Sequence, residues 1–347
     1  MTVSLGEAPT ERPTSDWPTA KSPTKLSLHW REGVPSAISL FSGCGGSDAG
    51  LLTAGFDIVM ANDKLSYARD VYLANHPSTD YVLGDISKID LFPDAELLVG
   101  CYPCQGFSQG GVREPSRNIN RLYLEFARAL RSVQPKAFIV ENVAGMVREN
   151  FQHLLKNQLR AFRHAGYVVD CAVLNAADYG VPQERRRIFI VGLRKDLGKT
   201  YSFPKPTHGP GLEREHVPIR EALKGMPEWP VGEFYEREFH WYYMSRDRRR
   251  DWAQLSKTIV ANPRHMPLHP MSPPMEKVEH NVWKFANEGR ARRFSYREAA
   301  RLQGFANEMK FPDAKHDSLN MRYTVIGNAV PPPLFHAVAS SLPAVWD

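Results

Sequence analysis

Cysteine is scarce in this 347-residue chain: Cys44, Cys101, Cys104 and Cys171 are the whole set. Four at these spacings give no disulfide framework, so the expected compartment is reducing. No run approaches 18 apolar residues, so no membrane-spanning helix is expected. Residues 1–35 lack the apolar core of a secretory signal, and their Pro, Ser and Thr content reads as a disordered leader. Acidic residues hold no surplus either. The 38 Asp and Glu face 44 Lys and Arg, a net charge of +6 and a pI of about 9.1. That balance favours a polyanionic partner. Hydrophobic content of 42% and charged content of 24% are those of an ordinary globular protein. The length fits one large and one small domain.

Short apolar runs alternate with helical patterns along 36–195. Runs at 37–41, 58–60, 97–99, 137–141, 167–174 and 187–193 read as strands. Patterns from Asp48, at 65–75, at 121–133 and at 151–164 read as helices. The alternation predicts an α/β fold with a doubly wound, mostly parallel sheet. Ligands of such sheets bind at the carboxyl ends of the strands. The pattern breaks over 200–293, which is rich in Pro, Trp, Tyr and Arg, and resumes with a short helix near 296–305 closed by Gly304. The expected organisation is a leader at 1–35, a large domain from 36–199 and 294–347, and a small irregular domain inserted at 200–293. Charge is uneven in that insert: 201–245 holds about five basic and seven acidic residues, and 246–293 about eleven and five. Arginines interleaved with aromatics suit contacts to phosphates and bases; a solvated charged face is the other reading.

Chemistry-bearing residues fall at the strand ends. Phe41-Ser42-Gly43-Cys44-Gly45-Gly46 follows the first strand, where glycines let a backbone approach a ligand at a helix start; a tight turn explains them equally well. Asp63 ends the second strand, where an acid can hold ribose hydroxyls. Asp85 can accept from an adenine amino group; either acid can instead cap a helix. Cys104 sits in Pro103-Cys104-Gln105 after a buried strand and reads as a nucleophile, with Cys101 as strand packing. A redox pair or a zinc pair fits less well, because no helix clearly starts there and no further ligands stand at metal spacing. No metal constellation appears. Glu141 lies at another strand end, and Arg185 and Arg187 could supply the positive field that ionises a thiol.

Taken together, these segments resemble the DNA (cytosine-5) methyltransferases. Residues 41–46 match the family's cofactor loop, Asn62-Asp63 its ribose site and Gly84-Asp85-Ile86 its adenine site. Pro103-Cys104-Gln105 matches its catalytic loop, Glu141-Asn142-Val143 its acid motif and Gln183-x-Arg185-x-Arg187 its arginine motif. Arg297-Glu298 to Gly304-Phe305 and Gly327-Asn328-Ala329-Val330 match its last two blocks. Eight blocks in this order cover about 36–195 and 293–345. Departures are small. Tyr102 stands where many relatives have Pro, Ser39 where Asp is frequent, and the run Arg117 to Arg121 is about two residues longer than the family's usual run. Within the insert, 244–248, 257–261 and 264–270 resemble the bacterial subgroup that methylates GGCC.

The resemblance implies the S-adenosylmethionine-dependent methyltransferase fold with an inserted target-recognition domain. It also implies double-stranded DNA as substrate, no membrane association, a monomer, and a cytoplasmic enzyme of a prokaryote or phage, acting as the modification half of a restriction-modification system. The cofactor is S-adenosylmethionine, held by Phe41, Gly43, Gly45, Gly46, Asp63, Asp85, Ile86, Pro103, Asn328 and Val330. Cys104 adds to C6 of a cytosine flipped out of the duplex, which makes C5 nucleophilic. Glu141 meets N3 and the exocyclic amine, Arg187 meets O2, and Arg185 supports the loop and the thiolate field. Gln105, Ser108 and Gln109, with Asn118, lie in a Gly-flanked loop that can close over the base. Arg246, Arg248 and Arg264 are the candidate readers of DNA. Two rivals remain open on sequence: a tRNA cytosine-5 methyltransferase of the same fold, and a non-catalytic DNA-binding regulator.

Overall fold

The computed structural model describes residues 33–103 and 121–346. Most of the expected leader, and the segment 104–120 with Cys104, Gln105, Ser108, Gln109 and Asn118, lie outside the described residues. From the start of the description the chain alternates: β1 (Ser36–Leu40), α1 (Gly46–Thr53), β2 (Asp57–Asp63), α2 (Ser66–Asn75), β3 (Asp80–Leu83), β4 (Leu97–Gly100), α3 (Leu122–Val133), β5 (Ala137–Val143), α4 (Gln152–His164), β6 (Tyr167–Asn175) and β7 (Arg186–Arg194). The seven strands form one sheet in the order β3-β2-β1-β4-β5-β7-β6.

Neighbours from β3 through β5 pair in parallel, with Ala37 opposite both Ile58 and Leu97. β1, β4 and most of β5 are buried throughout, which is why they read as continuous apolar runs. Their alternate side chains feed two cores. Ile38, Leu40, Leu98, Phe138 and Val140 pack under Phe126 and Leu130 of α3 and Leu155 and Phe162 of α4. On the other face, Ala37, Leu97, Val99 and Ile139 pack under Leu51 of α1 and residues near the C-terminus. The α3 helix shows how the sequence arranges this: Phe126, Ala127, Ala129 and Leu130 face inward at helical spacing. From its other side Arg128 donates to the carbonyls of Ile86 and Ile89 at 2.8 and 2.9 Å.

Two details depart from the sequence expectation. The strand β3 is half exposed, so its four residues carry no clear apolar run. β7 runs antiparallel to both β5 and β6. The link between β6 and β7, residues 176–185, holds only one short turn and is below the dozen or so residues that a parallel crossover needs.

After β7 the chain becomes irregular. Residues 200–293 hold a four-residue helix α5 (Ile219–Ala222) and one hairpin of β8 (Met275–Glu279) and β9 (Val282–Phe285). Regular structure resumes with α6 (Tyr296–Leu302), α7 (Leu319–Asn328) and α8 (Pro332–Ser340). Ser295 and Glu298 start α6 with a reciprocal capping box, a device typically worth about 1 kcal/mol. Gly304, at φ 87°, ends the turn that follows it. Gly327 and Asn328 complete α7 rather than opening a turn. α8 then lays Leu334, Phe335 and Val338 on the core beside Leu51. A third core joins the irregular segment to the sheet domain: Ile219, Leu223, Ile259 and Met266 pack with Tyr67, Tyr296 and Tyr323.

Candidate active site and cofactor cleft

The chain winds from β1 outward to β3, then returns to the other side of β1 with β4. That reversal makes a crevice at the carboxyl ends of β1 and β4, where open α/β sheets bind ligands. A cleft of about 1380 Å³ opens there. Among the described residues its walls include Phe41, Asp63 and Asp85 from one half, Glu141 and Arg187 from the other, and the 258–262 segment above.

On the first half, Phe41 takes a left-handed backbone at φ 58° and meets the Tyr102 ring edge-on at 5.8 Å. The Asp63 carboxylate accepts the amides of Gly43 and Leu65, one on each oxygen, both at 3.0 Å. It thereby fixes the loop after β1 while facing the cleft. Asn62 beside it donates to the carbonyls of Val82 and Gly84 and holds β3 in place. Asp85 accepts the Ser87 amide at 2.9 Å as the cap of a short turn, and that bond holds its carboxyl below the usual range. Ile86, Pro103, Asn328 and Val330 also line the cleft. Gly45 and Gly46 are not among the residues that line it. A Cβ on Gly46 would lie 2.3 Å from the Val330 carbonyl oxygen, so this glycine lets α1 approach the turn before α8. Gly45 abuts the His76 ring.

On the second half, Glu141 is buried at the end of β5. Arg187 places its Nε 2.9 Å from Glu141 Oε1, an ion pair that lacks hydrogen-bond alignment. Burial raises the Glu141 carboxyl above its ordinary value, against the pull of Arg187 and Arg185. Asn142, next along β5, donates to the Tyr102 carbonyl at 3.1 Å, and the Tyr102 hydroxyl donates to Gln158 on α4 at 2.7 Å. The strand end that leads into Pro103 and Cys104 is thus pinned from two sides. Sequence reasoning assigned neither role; an Asn beside a strand-end acid was the available signal. The three described cysteines are poor nucleophiles. Burial pushes the Cys44 thiol up to about 12, and burial together with the nearby Glu141 carboxyl raises Cys101. Burial raises Cys171 as well.

The model of the C-5 cytosine-specific DNA methylases matches residues 36–344. The chain belongs to that family. It is a cytosine-5 DNA methyltransferase, as the ordered sequence blocks implied. The type II methyltransferase M.BspRI of Lysinibacillus sphaericus is 37% identical, over 88% of this chain and 81% of that one. M.NgoPII of Neisseria gonorrhoeae is also 37% identical, over 88% and 94%. The crystal structure of the S. pombe Dnmt2 methyltransferase shares the fold at a TM-score of 0.64 and 18% identity, covering 88% of this chain and 97% of that one. No helix among the methylase's described residues is long and apolar enough to cross a membrane.

Arg185 of this methylase has a structural setting. It is 2% exposed, and its guanidinium donates to the carbonyls of Ile259, Gly327 and Ala329, each at 3.0 Å. Gln183 completes the knot, accepting the Ile259 amide at 3.0 Å and donating to the Leu302 carbonyl at 2.8 Å. Gln303 donates to the Ile326 and Ala329 carbonyls. The chain passes so close to α7 here that a Cβ on Gly327 would lie 2.2 Å from the Ala261 amide nitrogen. These glutamines were not expected as determinants; their only sequence signal was their place beside the arginine and glycine blocks.

The candidate DNA readers separate. Arg246 and Arg264 are exposed, and Arg264 donates to the Tyr235 hydroxyl at 3.1 Å. Arg248 is half-buried, with Nε on the Tyr243 carbonyl at 3.0 Å and Nη1 near the His265 carbonyl at 3.4 Å. Only its Nη2 has no partner among the described residues. Other arginines of the basic half are spent inside the methylase. Arg292 makes a bidentate pair with buried Glu298 at 2.7 Å on both arms. Arg249 donates to the Ser272 and Pro270 carbonyls, and Arg293 to those of Tyr235 and Arg237. A segment with little helix or sheet leaves many backbone carbonyls without ladder partners, and buried arginines satisfy them.

Proposed function

We propose that this methylase takes a methyl group from S-adenosylmethionine and places it on C5 of a cytosine turned out of duplex DNA, as the modification enzyme of a restriction-modification system. The observation that carries the reading is the shared cleft, with cofactor-type groups on one wall and the Glu141–Arg187 pair on the other. The residues present suit the cofactor. Where a Cβ would stand on Gly43 there is open space, and Asp63 and Asp85 both line the cleft. Phe41 would stack on the adenine, Asp85 would accept its amine and Asp63 would meet the ribose. The cofactor supplies an electrophilic methyl group. The chain's part is to make C5 nucleophilic. Cys104 Sγ bonds to C6, and the ring electrons move toward C5 and N3. The Glu141 carboxyl, raised by burial against the pull of Arg187, would share a proton with N3 as charge gathers there. Arg187 holds O2, and Arg185 acts as a positioning residue. A base then removes the C5 proton and the thiol leaves.

Residues 200–293 would choose the target sequence, with Arg246 and Arg264 offering the more accessible guanidinia. The GGCC-like blocks point to a GC-rich site; Arg reads guanine O6 and N7 with roughly 1–3 kcal/mol of discrimination per contact. The test is a trap. With S-adenosylmethionine present, duplex DNA carrying 5-fluorocytosine at the target should form a covalent adduct with the wild type, because after methyl transfer fluorine cannot leave C5 as a proton does. Cys104→Ser should abolish the adduct and keep duplex binding. Loss of the adduct in Cys101→Ser alone would overturn the assignment, and methyl transfer into tRNA but not DNA would overturn the substrate.

A further inference from the structure

The sheet releases the chain shortly before Cys104. β4 ends at Gly100, and Cys101 donates its amide to the Leu40 carbonyl at 3.1 Å. Tyr102 comes next, lines the cleft, and is followed by Pro103 and Cys104. Pro103 biases Tyr102 toward an extended backbone but does not fix it in space. Other parts of the fold do that. Asn142 of β5 donates to the Tyr102 carbonyl at 3.1 Å, and its own side-chain oxygen accepts the Val143 amide at 2.8 Å. The Tyr102 hydroxyl donates to Oε1 of Gln158 on α4 at 2.7 Å. The Tyr102 ring meets Phe41, just after β1, edge-on at 5.8 Å, and lies 6.0 Å from Phe126 of α3.

Packing alone does not call for the contact with Gln158. The inward stripe of α4 is Leu155, Gln158, Leu159 and Phe162, so one amide interrupts an apolar face. Gln158 is 1% exposed and Tyr102 3%. A phenyl ring against an aliphatic side chain fills such a space without the cost of burying polar groups. A buried polar pair that is satisfied does something else: it rigidifies its surroundings and selects one arrangement. Here it selects the direction in which the chain leaves β4 toward Cys104. Through Asn142 the same strand end is held in step with Glu141, the neighbouring residue on β5.

On the reading that Cys104 is the nucleophile, we propose that Tyr102 and Gln158 are positioning residues for its addition to C6, acting through their hydrogen bond. The Tyr102 side chain divides into two working parts. Its hydroxyl fixes the strand end from which Cys104 is presented. Its ring backs Phe41 on the wall that takes the cofactor's adenine. A change to the first part acts on the reaction, and a change to the second acts on cofactor binding.

The test isolates the addition step by following tritium lost from C5 of the target cytosine in duplex DNA, without cofactor. In that exchange Cys104 Sγ bonds to C6, C5 takes a proton from solvent and gives up its tritium, and the thiol leaves; no methyl moves. Tyr102→Phe and Gln158→Leu should each slow exchange and kcat by roughly ten- to a hundredfold, the scale of a small misplacement of a reacting group. The KM for S-adenosylmethionine and the duplex Kd should stay within about twofold, as for an interaction that serves the transition state. Each single variant strips one side of a buried bond and should melt lower. The double variant removes both sides and should regain part of that loss, with exchange no slower than in either single variant and still slow. Tyr102→Leu, which takes the ring from behind Phe41, should also weaken S-adenosylmethionine. Exchange at the wild-type rate in Tyr102→Phe overturns the inference. So does recovery of exchange together with stability in the double variant, which also carries the test where a single variant does not fold. Loss of cofactor affinity in Tyr102→Phe equal to that in Tyr102→Leu overturns the division of the side chain. Exchange that persists in Cys104→Ser overturns the nucleophile reading itself.

Discussion

Replacing Arg185 with methionine removes a buried guanidinium and keeps most of its apolar volume. Three carbonyls, of Ile259, Gly327 and Ala329, lose a charged donor at 3.0 Å. Hydrogen bonds to charged groups are typically worth about 1.5–3 kcal/mol each. Against this stands the cost of burying the guanidinium, several kcal/mol, which burial expresses by pushing its proton affinity well below the usual arginine value. Ala329 keeps a bond from Gln303, so it is not orphaned, whereas no other side-chain donor among the described residues reaches the carbonyls of Gly327 or Ile259. The net expectation is a loss of roughly 2–6 kcal/mol, since each of the two buried carbonyls left without a donor costs about 1–3 kcal/mol. Urea unfolding followed by tryptophan fluorescence measures it directly. Arg187→Met is the contrast: a partly exposed guanidinium with one ion pair should cost much less stability while abolishing adduct formation. Were Arg185→Met to unfold within about 1 kcal/mol of wild type, the three bonds would not be holding the irregular segment to α7.

Asp63→Ala should weaken S-adenosylmethionine by roughly ten- to a hundredfold in calorimetry, since a charge-assisted bond is worth about 1.5–3 kcal/mol; part of that loss will come from freeing the Gly43 loop. Arg246→Ala should either weaken all duplexes alike and flatten the salt dependence, as a phosphate contact does, or relax one position of the methylated site, as a base reader does; methylation mapping and salt titration separate the two, and no effect on either removes Arg246 from the interface. Asp48, buried in the first turn of α1, binds more protons folded than unfolded between about pH 4 and 7. Its contribution to stability therefore falls as pH rises through that window, by up to roughly 4 kcal/mol, and Asp48→Asn should flatten the pH dependence of the urea midpoint there.

The parts of the fold that were legible in the sequence are those where one cause dominates. Strands buried on both faces, such as Leu97–Gly100, must be apolar throughout, and α3 must alternate at helical spacing. Direction was less legible: β7 looks like any buried strand, and only the length of the link before it reveals its reversal. The site followed the same rule. Glu141 and Arg187 were singled out because strand-end charge in a parallel sheet has few other uses. Gly46 is ambiguous in sequence because a glycine that admits a ligand and one that admits a carbonyl leave the same trace. The arginines of the insert are ambiguous for a similar reason. A guanidinium bound to a phosphate and one bound to a backbone carbonyl are identical in sequence, so Arg248, Arg249, Arg292 and Arg293 all counted toward a DNA face. Asp48 passed unremarked because an acid in a first helical turn usually faces water.

Gln183 and Arg185 grip residue 259 by its amide and its carbonyl, and Gly327 meets the main chain of residues 260 and 261. None of these contacts consults the identity of the side chains they hold. A seam written in backbone atoms accepts any sequence that can follow the same path. If residues 200–293 read DNA as proposed, recognition is free to diversify by substitution or by exchange of the whole insert, while the register between reader and reaction centre stays where it was. Drift in target preference then carries no toll on the chemistry, which is the condition under which one catalytic frame can serve many target sequences.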